Sequence, residues 1–187
     1  MPVVVTREQY FDAAMSTLAS VGHTGLTIRA LCKTLGVTSG SFYHYFGSMD
    51  GFVEALLEYW EREQTIRLLQ LSTAPTDPVE RMQRMKELAF TIPHDAEAGI
   101  RAWSKANAAV AVAQKRVDTE REQGLREVIL GIVADGATAD LLTLTGMVLL
   151  IGLQQWHSPV DPGEVETVFN EFEAVITRHA AELVEKD

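Results

Sequence analysis

Between Leu26 and Phe46 the chain reads LTIRALCKTLGVTSGSFYHYF. The polar side chains in this run are of the types that bond to phosphates and to the edges of bases: hydroxyls at Thr27, Thr38, Ser39, Ser41 and Tyr43, an imidazole at His44, and cations at Arg29 and Lys33. Arg29 and Lys33 stand four apart, so on a helix they share one face. Gly40, between two serines, lets a backbone come close to the floor of a groove. A solvated helix face would account for the two cations, but not for the absence of any acidic residue in the run. A plain aromatic core is the alternative for the ring residues. It suits Tyr45 and Phe46, whereas the phenol of Tyr43 and the imidazole of His44 suit an outward position. Other chemistries lack their residues. There is no P-loop, dinucleotide fingerprint, nucleophile elbow or HExxH, and His23, His44, His94, His157 and His179 are scattered without ligand spacing. No catalytic residue, metal or cofactor is therefore expected. Cys32, the single cysteine, excludes an internal disulfide and is expected as a buried structural thiol.

Positioning such a face requires helices. Nearly every segment between glycine, proline and polar punctuation repeats its apolar residues at three and four, which predicts an all-α fold of about nine helices. Thr6-Arg7-Glu8-Gln9 forms a capping box ahead of a first helix with the stripe Phe11, Ala14, Met15, Leu18 and Val21. A short second helix runs from Thr27 to the C-terminal stop at Gly36, and Thr38 is expected to cap a short third one. Gly36-Val37-Thr38 joins the two as a helix-turn-helix, with Val37 and Phe42 seated on Leu31 and Leu35. Further helices are expected near 48–71, 78–91, 94–106, 108–133 and 138–157, with a last one after Asp161-Pro162; Asp77-Pro78 carries the same start signal. The division is into a three-helix module, residues 1–47, and a larger helical bundle domain, 48–187. Net charge is −10, yet residues 1–47 carry three basic and two acidic side chains, leaving 13 basic and 24 acidic ones to the other 140. The acid is kept away from the module that would meet a polyanion.

From Phe11 to about Trp60 the chain resembles the amino-terminal module of TetR-family regulators. Thr27, Gly36, Val37, Thr38, Gly40, Ser41, Tyr43, His44, Tyr45 and Phe46 carry the resemblance. It implies a transcriptional repressor that binds double-stranded operator DNA as a homodimer, through Thr27, Arg29, Lys33, Thr38, Ser39, Gly40, Ser41, Tyr43 and His44. It also implies a small-molecule effector. Members often have a basic residue where Ser39 stands and a lysine where Met49 stands, so fewer phosphate contacts are expected here. Those departures and the acidic total also motivate an alternative, a helical small-molecule-binding or interaction protein that has lost specific DNA binding.

Met82, Met85, Phe90, Trp103, Met147, Leu150, Trp156 and His157 are the candidates for lining an effector pocket, although methionine and aromatic side chains at helical spacing also make ordinary core. The last helix carries Val165, Val168, Phe169, Phe172, Val175, Ile176 and Leu183, and the helix before it is apolar nearly all round. Pairing both with a second copy would make a four-helix bundle with Leu149, Leu153, Val165, Val168, Phe169, Phe172 and Ile176 at the interface. The apolar run from Leu141 to Leu153 is broken by Thr143, Thr145, Gly146 and Gly152 and reads as a buried helix, short of a membrane span. No signal peptide is read at the start, and a cytoplasmic protein without a membrane partner is expected.

Overall fold

Short polar side chains at the helix ends decide where the chain turns. The computed structural model describes residues 5–72 and 77–184, with the side chains of 65, 67–72, 78 and 182–184 left out; Leu183 of the last stripe therefore lies outside the described side chains. Among the described residues there are nine α-helices and no strand. They are α1 (Arg7–Ser20), α2 (Ile28–Leu35), α3 (Ser39–Phe46), α4 (Met49–Ser72), α5 (Pro78–Phe90), α6 (His94–Ser104), α7 (Ala108–Val133), α8 (Gly136–Trp156) and α9 (Pro162–Val184).

The start signals act as their chemistry requires. Thr6 Oγ1 accepts from the Gln9 amide at 3.4 Å, while Gln9 Oε1 accepts from the Thr6 amide at 2.9 Å, closing the capping box of α1. Asp77 accepts from the amides of Val79 and Glu80 at 2.9 and 3.0 Å, with Pro78 in the first position of α5. Asp135 accepts from the Thr138 amide at 2.7 Å, and its bonds to Thr138 hold its carboxyl below the ordinary aspartate value. Asp161 takes the Gly163 amide at 2.7 Å ahead of α9. Gly36 ends α2 at φ 68°, the left-handed conformation that favours glycine. Thr38 differs from expectation. It is the N-cap residue of α3, but its side chain makes no capping bond.

The chain packs as two compact units, and their boundaries fall within α4, between α5 and α6, and within α7. The first comprises residues up to Gln64 together with Pro93–Arg116. Its α1 is buried along Tyr10, Phe11, Ala13, Ala14 and Leu18. Val21, expected on the stripe, is 64% exposed because it lies past the end of the helix as its C-cap. Helix α6 closes on α1 at Gly99, where a Cβ would stand 2.5 Å from the Leu18 carbonyl oxygen. Trp103 of α6 stacks on His23 with ring centroids 6.2 Å apart and planes 5° from parallel. Trp60 of α4, fully buried, donates its indole N–H to the buried Glu97 at 3.4 Å.

The second unit comprises Thr65–Ile92 with the chain from Val117 onward. Met82, Val128, Ile129, Val133, Ala139, Leu142, Phe172 and Ile176 make its core. Gly146 of α8 lets Leu125 and the Phe172 ring come close: a Cβ there would stand 2.8 Å from atoms of each. The expectation of a buried helix after Leu141 needs correction, because α8 has one open face. Leu141, Leu144 and Val148 are 59, 61 and 60% exposed. With 21 residues α8 is long and apolar enough to cross a membrane by length and composition, and 28% of that window is buried.

Gly99→Ala should lower the stability of the chain by about 1–2 kcal/mol, because the overlap with a backbone carbonyl outweighs the roughly 1 kcal/mol that alanine gains in a helix. Urea unfolding followed by circular dichroism reads this; an equal or higher midpoint would refute the close approach.

Candidate nucleic-acid interface

Helix α3 is eight residues long, too short to hold its shape alone, and it is fixed from beneath by rings. Phe42 and Phe46 are buried, and their centroids lie 5.2 Å apart. Tyr10 of α1 meets Phe42 at 5.8 Å and Phe46 at 5.3 Å, both edge-on. Phe52 of α4 completes the group, 5.3 Å from Phe42 and 4.9 Å from Phe46. Edge-to-face and tilted pairs of this kind are each worth about 0.5–1.5 kcal/mol beyond their buried area. Arg7 sets its guanidinium 5.5 Å from the Phe46 centroid, a cation resting on the rim of the cluster.

What the cluster leaves outside is the polar set. Thr27, Arg29, Lys33, Thr38, Ser39, Gly40, Tyr43 and His44 are all exposed, and Ser41 is half-buried. They all lie on α2, α3 and the residues that begin these helices. Tyr43 is 51% exposed with its ring edge-on to Phe42 at 5.9 Å, so its base is braced while its hydroxyl is open. Thr27 serves two purposes: its oxygen accepts from the Ala30 amide at 3.1 Å, and its proton remains for another acceptor. Thr38 makes no side-chain cap, and the Ser41 amide donates to the Thr38 carbonyl at 3.1 Å instead; a helix start without a side-chain cap suits an anion. Cys32 is buried, its thiol 3.6 Å from the Thr38 carbonyl, where it packs the turn from inside.

The stripe Phe11, Ala14, Met15, Leu18 and Val21 does not include Tyr10; α1 buries Tyr10 and Ala13 beside Phe11, Ala14 and Leu18, so its covered face is turned toward the preceding residue of each pair. The adjacent aromatic pair is the signal that a wider face was in use. Met49, where family members often have lysine, is half-buried at the start of α4.

The effector candidates do not converge on one site. Trp103 belongs to the first unit, against His23. Met82 is buried in the core of the second unit and Met85 packs against that core. Phe90 is 42% exposed beside Phe169, and Met147 and Leu150 are half-buried. Trp156 is 77% exposed, and the exposed His157 lies 3.0 Å from Glu164. An open cleft of about 550 Å³ in the first unit is lined by other residues, among them Asp50, Glu54, Glu58, Val112 and Arg116. Of the expected interface residues, Val165, Phe172 and Ile176 are buried within the second unit, while Leu149, Leu153, Val168 and Phe169 are half-buried.

Residues 11–56 match the family model described as bacterial regulatory proteins, tetR family. The HTH-type transcriptional regulator BetI of Cronobacter sakazakii is 30% identical over 103 residues, 53% of this chain and 50% of that protein. BetI of Yersinia pestis (strain Pestoides F) is 26% identical over 101 residues, 53% of this chain and 51% of that protein. The chain thus spans about half the length of these relatives. A TetR-family transcriptional regulator from Streptomyces coelicolor shares the fold, with a TM-score of 0.77 at 13% identity over 93% of this chain and 95% of that one.

Tyr43→Ala and His44→Ala should each weaken binding to a selected duplex about 5- to 100-fold, the equivalent of roughly 1–3 kcal/mol per contact. Arg29→Ala and Lys33→Ala should instead weaken all duplexes alike and reduce the slope of log affinity against log salt by about one each. Fluorescence anisotropy over a salt series distinguishes the two classes, and slopes unchanged in both cation variants would remove α2 from the phosphate contact.

Proposed function

We propose that this chain, which belongs through residues 11–56 to the TetR family of bacterial regulatory proteins, is a transcriptional repressor that binds a palindromic operator as a homodimer. The observation that carries this reading is the exposed, acid-free row on α2 and α3 standing on a ring cluster that cannot yield. Residues 1–47 are the DNA-binding module, and α3 enters a major groove with Tyr43 and His44 toward base edges. One module offers few cations, so affinity depends on two modules acting together on half-sites about 34–36 Å apart.

The pairing surface proposed is the open face of α8. Leu141, Leu144 and Val148 recur at three and four, with Gly152 one turn further along. A Cβ at Gly152 would meet nothing within 4 Å, so a second helix can come close there. Exposed apolar rows of this kind are stabilised by being covered, and a twofold partner offers the same row in return. This replaces Val165, Phe172 and Ile176, which are spent on the core of their own unit. A soluble dimer also accounts for the apolar α8 without a membrane, and it is consistent with a cytoplasmic protein.

Release of DNA by a small-molecule effector completes the reading. The effector would act by preferring a conformation whose recognition helices do not match the half-site spacing, and it can shift binding only by the free energy of that preference. Met82, Met85, Met147 and Leu150 of the second unit remain the residues from which a pocket would be drawn.

Selection of bound fragments from random duplex DNA should recover an inverted repeat. Leu144→Glu, which would bury a charge at the dimer seam, should give a monomer in sedimentation and at least about 100-fold weaker operator binding. A chain that enriches no palindrome would favour the alternative of a helical carrier or interaction protein without specific DNA binding.

A further inference from the structure

We propose that Tyr10 is a positioning residue for DNA recognition: its phenol holds the Ser41 oxygen as an acceptor, so that the Ser41 proton is left to be donated to an acceptor atom of the operator. The inference rests on the DNA-binding reading above. Tyr10 is fully buried in α1, and its hydroxyl lies 3.2 Å from Ser41 Oγ on α3. Three rings meet it edge-on, Phe42 at 5.8 Å, Tyr45 at 6.0 Å and Phe46 at 5.3 Å, and restrict the swing of the phenol ring. Burial raises its pKa, which keeps the donating proton in place.

Ser41, like Thr27, accepts a hydrogen bond within the chain and donates none among the described residues, in contrast to several hydroxyls inside the helices. Thr17, Ser20, Thr145 and Thr167 each donate to the carbonyl four residues back at 2.8 Å, so their protons are used within the chain. The one side-chain hydrogen bond of Ser41 among the described residues is the one it accepts from Tyr10. A hydroxyl has a single proton and two lone pairs. With a lone pair taken by Tyr10, the proton of this half-buried side chain remains for a group beyond the chain, on the helix that also exposes Ser39, Gly40, Tyr43 and His44. A phenylalanine at position 10 would fill nearly the same volume, so the phenol's distinctive contribution is its polar tie to α3. The acceptors that DNA offers there are phosphate oxygens and, in the major groove, purine N7, guanine O6 and thymine O4.

The test uses the full chain and a duplex recovered by its own selection from random DNA. Tyr10→Phe and Ser41→Ala should each weaken that duplex about three- to tenfold, the net worth of one neutral hydrogen bond, and the double variant should lose no more than either single one. The dimer mass and thermal midpoint of Tyr10→Phe should match those of the unaltered chain. Reselection with Tyr10→Phe then separates the acceptors: relaxed preference at one position in each half-site identifies a base edge, and a uniform loss identifies a phosphate. Equal affinity of Tyr10→Phe and the unaltered chain, or losses that multiply in the double variant, would overturn the inference while leaving the DNA reading intact. Should Tyr10→Phe fail to fold, unchanged affinity of Ser41→Ala overturns it equally. An unaltered chain that selects no duplex overturns both.

Discussion

The exposed polar row of α2 and α3, the proposed DNA-binding surface, depends on one contact, the wedge of aromatic rings that α1 and α4 drive under α3. Eight residues of helix have little stability of their own, because nucleation consumes most of what so few hydrogen bonds return. Phe42 and Phe46 give α3 its fixed roll by sinking between Tyr10, Phe11 and Phe52. Once that roll is set, the residues between the two phenylalanines have no choice of direction. Tyr43 and His44 are turned out, and Tyr45 is held half-buried at the rim. The recognition surface is the complement of a hydrophobic one, and its precision is that of ring packing rather than of the polar groups it displays.

The same logic extends through the first unit. Gly99 allows α6 to lie against the backbone of α1 at Leu18, and the Trp103–His23 stack lies on the α6 side of the same unit. Trp60 and Glu97 tie α4 to α6 through a buried hydrogen bond. The helices that carry the proposed DNA-facing residues are thus packed together with a segment that follows them in the chain by some distance, Pro93–Arg116. A boundary drawn after the helix-turn-helix describes where the recognition residues end. The compact body that holds them in place is larger.

In the second unit the competition is between a helix's own core and a partner. Helix α8 is apolar on more faces than α9 and its neighbours can cover, so Leu142, Thr143 and Gly146 are buried while Leu141, Leu144 and Val148 stay open. Helix α9 settles the matter differently. Val165, Phe172 and Ile176 turn inward, and its outer side is polar, with Lys86 of α5 bonded to Asn170 and Glu173 along the seam. Apolar content alone therefore does not identify an interface; the residue left uncovered after the unit has packed does.

What could be read without a structure follows from how far each signal reaches. Helix starts at Thr6, Thr27, Asp77 and Asp161 and the left-handed end at Gly36 rest on interactions within a few residues, and these are written in the sequence; the outward placement of Tyr43 and His44 was read from their polar tips, and it is ring packing from α1 and α4 that fixes it. So is the charge difference between the first 47 residues and the remainder. Tyr10's bond to Ser41 spans 31 positions, Gly99 meets Leu18 across most of the first unit, and the inward turn of Phe172 toward Gly146 needs α8 beside α9. A helical period states that a face is apolar and leaves its partner unnamed. Only packing in three dimensions chose which apolar faces became core, which stayed open, and which hydroxyl of α3 is tied to the buried phenol of α1.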